Sequence, residues 1–486
     1  MRAPVGSGLN ARFALLAGAV LVSSALVATS YTRRIGDGPE YLTMARQLSR
    51  LERPSLPESE VASTIEELRG MSGGFGVFNE AFRYPQLAST DGRRDFPHFW
   101  LYPALAAPGV ALASALGLHP NLGFVLANLA LFLGALWVVS GRLGWAPSTL
   151  LFASPILWWL DKAHTEIFTF SLLAIAMATL DDAPWWSLIA MAAASTQNMP
   201  LALALPLVVA AALAGRPDVW RDVRFQLGLA ASTALALLHP LYYWSRLGTL
   251  EPQTLVAGTH FHVPSVRQIG AYVWDPNLGI LPNFAALGIV VLGALILLLM
   301  RCPRALLRPP VLVSAALAVV FTTSFAQTTN FNSGGTPGLG RYGVWLVPLA
   351  IPLLAYADRA GGRRWHAAMA VIALVSVAYN LIAYRPHVRE RFGQPTRLAA
   401  ALWTWVPWLD DPLPEVFVER LTGYDITAAP LIPAATPSCS KALLIGGHWP
   451  AHCAPTAIPA ACAVAGTFCY ANRARDGHYA FRRVDE

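Results

Sequence analysis

Two clusters of ionisable residues stand out in an otherwise apolar chain. The first is Gly36-Asp37-Gly38-Pro39-Glu40-Tyr41, which follows an apolar run and leads into Leu42-Thr43-Met44-Ala45-Arg46-Gln47-Leu48. A carboxylate held at a helix start on a membrane surface can act as a general base, taking the proton of an attacking hydroxyl. The same spacing has a plainer meaning. Pro39 suits a first helical turn, and Asp37 with Glu40 three residues on is a capping-box pattern, so spacing alone favours a cap. The second cluster is Asp161-Lys162-Ala163-His164-Thr165-Glu166, after Trp158-Trp159. On a helix Asp161 and His164 share a face, as do Lys162 and Glu166. Tryptophans beside a snorkelling lysine are ordinary at a membrane edge. Four ionisable groups within six residues between apolar stretches are harder to dismiss, because such groups usually mark a functional path.

Two further loops have unusual texture. One holds His260-Phe261-His262 and then Trp274-Asp275-Pro276-Asn277-Leu278-Gly279. A His-x-His pair binds metal only with a third ligand, so lone surface histidines are the better expectation. The other runs from Asn330 through Gly334-Gly335-Thr336-Pro337-Gly338-Leu339-Gly340 to Arg341-Tyr342. Its glycines let backbone N–H groups approach an anion, and Arg341 adds a charge where the next apolar stretch begins. The plain alternative is a flexible turn with a snorkelling arginine.

The elements that position these groups must be membrane helices. The 486 residues are 55% hydrophobic and 13% charged, against roughly 25% charged in soluble domains. That composition excludes a nucleic-acid-binding enzyme, a secreted disulfide scaffold and a disordered chain. The apolar residues cluster in runs long enough to cross a bilayer, so the expected fold class is an all-α polytopic membrane protein. The formal charge of +7 then reads as topology, since cytoplasmic loops collect basic residues. Only Lys162 and Lys441 are lysines among the 35 basic residues, an arginine bias of the kind a GC-rich genome gives. With no Asn-x-Ser/Thr acceptor in the chain, this fits a bacterial plasma membrane.

Charged loops and cysteines set the topology. Ala11–Ser30 behind Arg2 and Arg12 reads as an uncleaved first helix, although Ala28-Thr29-Ser30 also resembles a signal-peptidase site. Arg216–Arg224, Arg301–Arg308 and Arg359–Arg364 are basic enough to be cytoplasmic. Spans are expected near Phe225–Trp244, Phe284–Met300, Val311–Phe325, Tyr342–Ala357 and Ala367–Tyr384. The first loop, residues 31–99, lies outside, as do Ser245–Asn283 and Ala326–Arg341. In the region between, Trp100–Leu118 either dips into the interface, which leaves Asp161 outside, or crosses, which puts Asp161 in the cytoplasm. The first arrangement is preferred and gives about eleven transmembrane helices, with 100–384 as the multi-span domain. Residues 385–486 are polar and hold Cys439, Cys453, Cys462 and Cys469, read as two disulfides in an oxidising compartment. The absence of any Cys-x-x-Cys argues against zinc. Cys302, in a basic loop, is expected to be cytoplasmic and reduced.

The stretch Asp37–Leu48 resembles the first-loop motif of the GT-C superfamily of membrane glycosyltransferases, in the aminoarabinose transferase and protein O-mannosyltransferase branch. Asp37 matches the family's Asp, Tyr41 its Tyr, and Ala45-Arg46 its helix, while Gly38 stands where Glu is usual and Glu40 comes two residues later. Trp100-Leu101-Tyr102-Pro103 resembles the end of that loop, and Asp161 falls where the family has a second acidic residue. The resemblance implies inverting sugar transfer from a polyprenyl-phosphate-linked donor to a lipid, glycan or protein acceptor on the extracytoplasmic face. In that reading Asp37 is the base, with Glu40 the runner-up base and Asp161 the second acid. Arg341, or else Lys162, stabilises the departing phosphate, and Tyr41, His164, Glu166 and Tyr342 line the substrate site. No metal is required, although a divalent ion is used in some branches. Broken helices and intramembrane charges would also serve a transporter or flippase of lipid-linked sugars, but no internal repeat is visible. A non-catalytic GT-C paralogue, with Gly38 marking a decayed site, is the third reading.

Overall fold

The computed structural model describes residues 9–28, 36–71, 84–256, 263–328, 331, 337–388, 393–423, 432–453 and 456–484. It is mostly helical, and the chain divides into two compact units. The first comprises Met1–Phe261, Ala286–Ser324 and Val344–Val388, and the second His262–Ala285, Phe325–Gly343 and Arg389–Glu486.

In the first unit the chain forms α1 (Leu9–Ala28), α2 (Gly38–Ser49), α3 (Val61–Gly70), α4 (Leu101–Ala115), α5 (Leu122–Ser140) and α6 (Trp145–Phe152). It continues through α7 (Glu166–Thr179), α8 (Pro184–Ser195), α9 (Ala204–Gly215) and α10 (Val223–Leu247). Two strands, β1 (Leu56–Pro57) and β2 (Arg93–Arg94), pair antiparallel and close the first loop on itself. Helices Leu9–Ala28, Leu122–Ser140 and Arg363–Ala383 are long and apolar enough to cross a membrane. Shorter apolar helices include Leu101–Ala115, Glu166–Thr179, Ala285–Arg301 and Pro309–Phe325. Leu292, Leu299, Val371, Leu374 and Val375 on these helices are exposed, which suits acyl chains and would be a liability in water. Several expected spans are broken by proline. Thr149–Leu160 resolves into α6 and a 3₁₀ turn from Pro155, and Leu201–Ala214 begins with a 3₁₀ turn at Met199-Pro200. Both prolines stand in the first turn of the 3₁₀ segment, where the missing backbone N–H needs no partner.

The expectation of an all-α protein is corrected in the second unit. There β3 (Ala434–Ala435), β4 (Lys441–Ile445), β5 (Phe468–Arg473) and β6 (Tyr479–Arg483) form one antiparallel sheet in sequence order. Leu443 and Tyr470 pair across β4 and β5 and pack on Trp403 and Phe417. The cysteines form two disulfides, Cys439–Cys453 and Cys462–Cys469, while Cys302 is a free, exposed thiol. This unit is more than the expected segment 385–486. Thr396 donates to Pro276 O at 2.8 Å, and Arg267 pairs with Asp411 at 2.9 Å, so the loop around residues 262–285 joins the tail. Lys441 is buried and donates to Pro407 O, Asp410 O and Asn472 Oδ1, and burial pulls its ammonium down to about 8.

Candidate active site

Helix α2 starts at Gly38-Pro39, and its Tyr41, Leu42, Met44 and Ala45 enter a core with Phe96, Tyr102, Phe124 and Phe168. That packing fixes the position of Asp37. The expected capping box does not form: Asp37 holds the cap position with φ −77° and ψ 1°, yet its side chain makes no capping hydrogen bond. Its carboxylate faces two imidazoles instead. Asp37 Oδ2 lies 3.3 Å from His98 Nε2 and 3.3 Å from His164 Nε2.

Each histidine turns its other nitrogen to a glutamate. His98 Nδ1 is 2.9 Å from Glu40 Oε2, and His164 Nδ1 pairs with Glu166. The five residues form one chain, Glu40–His98–Asp37–His164–Glu166. Within it only Asp37 and His98 keep appreciable exposure, 23% and 18%, whereas Glu40, His164 and Glu166 are 1%, 3% and 0% exposed. Solvent therefore reaches this chain at Asp37 and His98, and Glu40 is buried behind His98.

Charge within the chain is set by proximity. Burial disfavours an imidazolium at His164, but Glu166 and Asp37 outweigh it and raise the pKa to about 9. His164 is thus a fixed cation at neutral pH, donating towards both carboxylates. Tyr41 packs edge-on against His98, Tyr102 and His164, with ring centroids 5.4, 5.7 and 5.8 Å apart. Burial, then Asp37, Glu40 and Glu166, push its hydroxyl well above the usual range, so Tyr41 stays a neutral donor. Gly36 has φ +47°, and a Cβ there would stand 3.4 Å from His164 Nε2. The positive φ is what favours glycine at this turn into α2, since the Cβ contact would be an ordinary one.

The histidines are held by distant elements. Gln253 lies 3.1 Å from His98 Nε2 and donates to Pro97 O at 3.2 Å. From α10, Tyr243 donates to Phe96 O at 2.8 Å, Tyr242 to Asp95 at 2.7 Å, and Arg246 pairs with Asp95 at 2.7 Å. Buried Asn128 on α5 donates to Lys162 O at 2.8 Å and accepts from the Tyr102 hydroxyl at 2.9 Å, fixing the backbone beside His164.

The second sequence cluster splits. Residues 161–165 form a turn rather than a helix, so the expected face-sharing of Asp161 with His164, and of Lys162 with Glu166, is replaced. Lys162 and Asp161 pair with each other, both side chains 0% exposed. The ammonium also donates to Trp158 O at 2.6 Å and Pro386 O at 2.9 Å and sits 4.0 Å from the Trp158 ring centroid. Enclosed in this way, Lys162 is not available to bind a phosphate. The pair instead ties this turn to the segment after Arg363–Ala383. Arg341 and Tyr342 belong to the second unit. Arg341 begins the helix Arg341–Leu346, donates to the Tyr342 hydroxyl at 2.8 Å, and lies over that ring, which stacks on Phe325. His260, His262 and the glycine-rich residues 332–336 lie outside the described residues, as does the Thr29-Ser30 part of the cleavage-like site.

Sequence reasoning missed His98. The available signal was a histidine between Pro97 and Phe99-Trp100 at the end of a loop already marked as chemical. Asp37, Glu40 and His98 each offer a donor atom, all within 4.8 Å of one another, and this oxygen–nitrogen set suits a divalent cation. The other such group, Cys439, His452 and Cys453, has its sulfurs in a disulfide.

No family model and no curated protein matches this sequence. The chain is similar in structure to ArnT of Cupriavidus metallidurans. The apo ArnT structure aligns with a TM-score of 0.44 at 14% identity, over 84% of this chain and 71% of that one. ArnT bound to undecaprenyl phosphate aligns at 0.41 and 14% identity, over 76% of this chain and 64% of that one.

Proposed function

We propose that this protein is an inverting GT-C-type glycosyltransferase of a bacterial plasma membrane, moving a sugar from a polyprenyl-phosphate carrier to an extracytoplasmic acceptor hydroxyl. The observation that carries this reading is the Asp37 carboxylate: it stands where the first-loop motif has its Asp, it is not used as a cap, and it is partly exposed beside two histidines. In the reaction Asp37 takes the acceptor proton as that oxygen bonds to the anomeric carbon. The bond from that carbon to the phosphate oxygen breaks on the opposite face, and its electron pair leaves with the carrier phosphate. His98 and His164 orient the carboxylate. Metal is not required in this reading when an arginine stabilises the departing phosphate.

The test is transfer by the purified full chain in lipid nanodiscs, with synthetic polyprenyl-phosphate sugars and an envelope extract as acceptor. Product with inverted anomeric configuration, formed equally in the presence of a chelator, is the expected result. Retained configuration would remove Asp37 as a single-displacement base. Activity lost to the chelator and restored by a divalent ion would give Asp37, Glu40 and His98 to a metal instead.

The proposed topology has about eleven spans with the Asp37 chain outside. Helix α7 would separate the two faces in this arrangement. Glu166 lies at one end of this helix, and Asp181 and Asp182 follow the other end, where Arg142 pairs with Asp182. After reduction, a membrane-impermeant thiol reagent should label Cys439 from outside and leave Cys302 untouched in sealed cells. Outside labelling of Cys302 would reverse the orientation.

Arg341 is proposed as a guanidinium that grips the carrier phosphate with two parallel hydrogen bonds, which lysine cannot copy. Arg341→Lys should weaken donor binding about ten- to a hundredfold with normal insertion, since each lost charge-assisted bond costs roughly 1.5–3 kcal/mol. Unchanged donor binding would make Arg341 a snorkelling anchor.

A further inference from the structure

A polar cavity of about 430 Å³ opens at the far end of α7 from the Asp37 chain. The 14 residues of that helix separate the two, about 20 Å at 1.5 Å per residue. Its wall takes one arginine from each of the three basic loops: Arg216, Arg308 and Arg359. Nothing in the sequence spacing joins these loops, and the fold brings them together. Among the described residues none of the three has a carboxylate partner. Asp181 and Asp182 also line the cavity, but Asp182 is already paired with Arg142 and Asp181 accepts from the Tyr356 hydroxyl at 3.2 Å. Two helices, α8 from Pro184 and the helix from Pro309, begin at the wall and add the positive ends of their dipoles.

The depth of the cavity is marked independently. Trp145, Trp186 and Trp220 are 43%, 47% and 50% exposed, each within a few residues of Arg142, Asp182 or Arg216. Exposed tryptophans sit at the level of lipid headgroups. Basic pockets between helices on the cytoplasmic side bind anionic headgroups.

We infer that this cavity binds a phosphate ester at the membrane surface, the headgroup of an anionic phospholipid, on the face opposite the proposed transfer site. Arg216, Arg308 and Arg359 ligate the phosphate, and Asp181 weakens the site by like-charge repulsion. The probes are phosphatidylglycerol, phosphatidylcholine and inorganic phosphate, added to the delipidated full chain in detergent, with bound lipid read by native mass spectrometry. Phosphatidylglycerol should be retained over phosphatidylcholine. Replacing each arginine by glutamine should weaken it about fivefold, and the triple variant roughly 10²-fold, at about 1 kcal/mol per basic residue. Asp181→Asn should tighten it, an effect that misfolding cannot imitate. Displacement of the lipid by millimolar inorganic phosphate would identify free phosphate as a second source for the same site. Failure of phosphate to displace it assigns the site to lipid alone. Equal retention of the two lipids, or an Asp181→Asn protein that binds no tighter, would overturn the proposal.

Discussion

Asp37→Asn is expected to slow sugar transfer by roughly 10²–10⁴-fold, the contribution of a positioned general base, while the protein inserts and folds normally. The amide has the volume of the carboxylate, and its oxygen still accepts from His164, so the chain of five side chains keeps its shape. No helix cap is lost, because the Asp37 side chain caps nothing; a true cap would in any case tolerate Asn. What disappears is the ability to take a proton. Glu40→Gln provides the contrast. Glu40 is 1% exposed and touches the exposed groups through His98, so its loss should loosen His98 and lower the rate less than Asp37→Asn does. Transfer at the wild-type rate by the Asp37→Asn protein would leave Asp37 a polar anchor and end its role as base.

The sequence pointed to Asp37, Glu40, Tyr41, His164 and Glu166, and these do converge. It did so for a reason that helix periodicity did not supply. Asp37 and His164 are 127 positions apart, and they meet because α2, α4, α5 and α7 share one aromatic core around Tyr41, Tyr102 and Phe168. Residue type flagged the clusters, since charge in an apolar setting is costly and so is kept for a use. Residue spacing misjudged them. A capping box and a cap-free carboxylate have the same local sequence. Among the described residues, the Asp37 side chain turns towards His98 and His164, and both lie far along the chain from it.

The same limit explains Lys162. Its rarity marked it correctly as a chosen residue, but the use is structural: carbonyls at Trp158 and Pro386, and the Asp161 carboxylate, enclose the ammonium. A lysine in an apolar interior needs such partners, or its charge is too costly to keep. The Pro386 partner lies 224 positions away, beyond the reach of any window along the chain. In the tail, proline and cysteine content concealed β4 and β5, whose five and six residues are too short to outweigh the turn signals around them.

Raising the pH should weaken this protein through His164. Its pKa stands near 9 in the folded protein, against about 6.5 when unfolded. The folded form therefore binds the proton more tightly, and the stabilisation is fully present below pH 6.5. It declines as pH rises and is lost once pH passes through about 9. The difference corresponds to about 3 kcal/mol. The side chain is 3% exposed, so water screens little of it. Thermal unfolding in detergent should show the midpoint falling between pH 6.5 and 9 for the wild type. Glu166→Gln removes the carboxylate that raises the pKa most, so the fall should be smaller and end at lower pH. His164→Gln keeps a polar side chain between Asp37 and Glu166 but cannot carry charge, and it should be less stable than the wild type at pH 6 with most of the pH dependence gone. Parallel curves for wild type and His164→Gln across that window would show that the imidazole is neutral in the fold. In that case His164 would orient Asp37 through a neutral hydrogen bond.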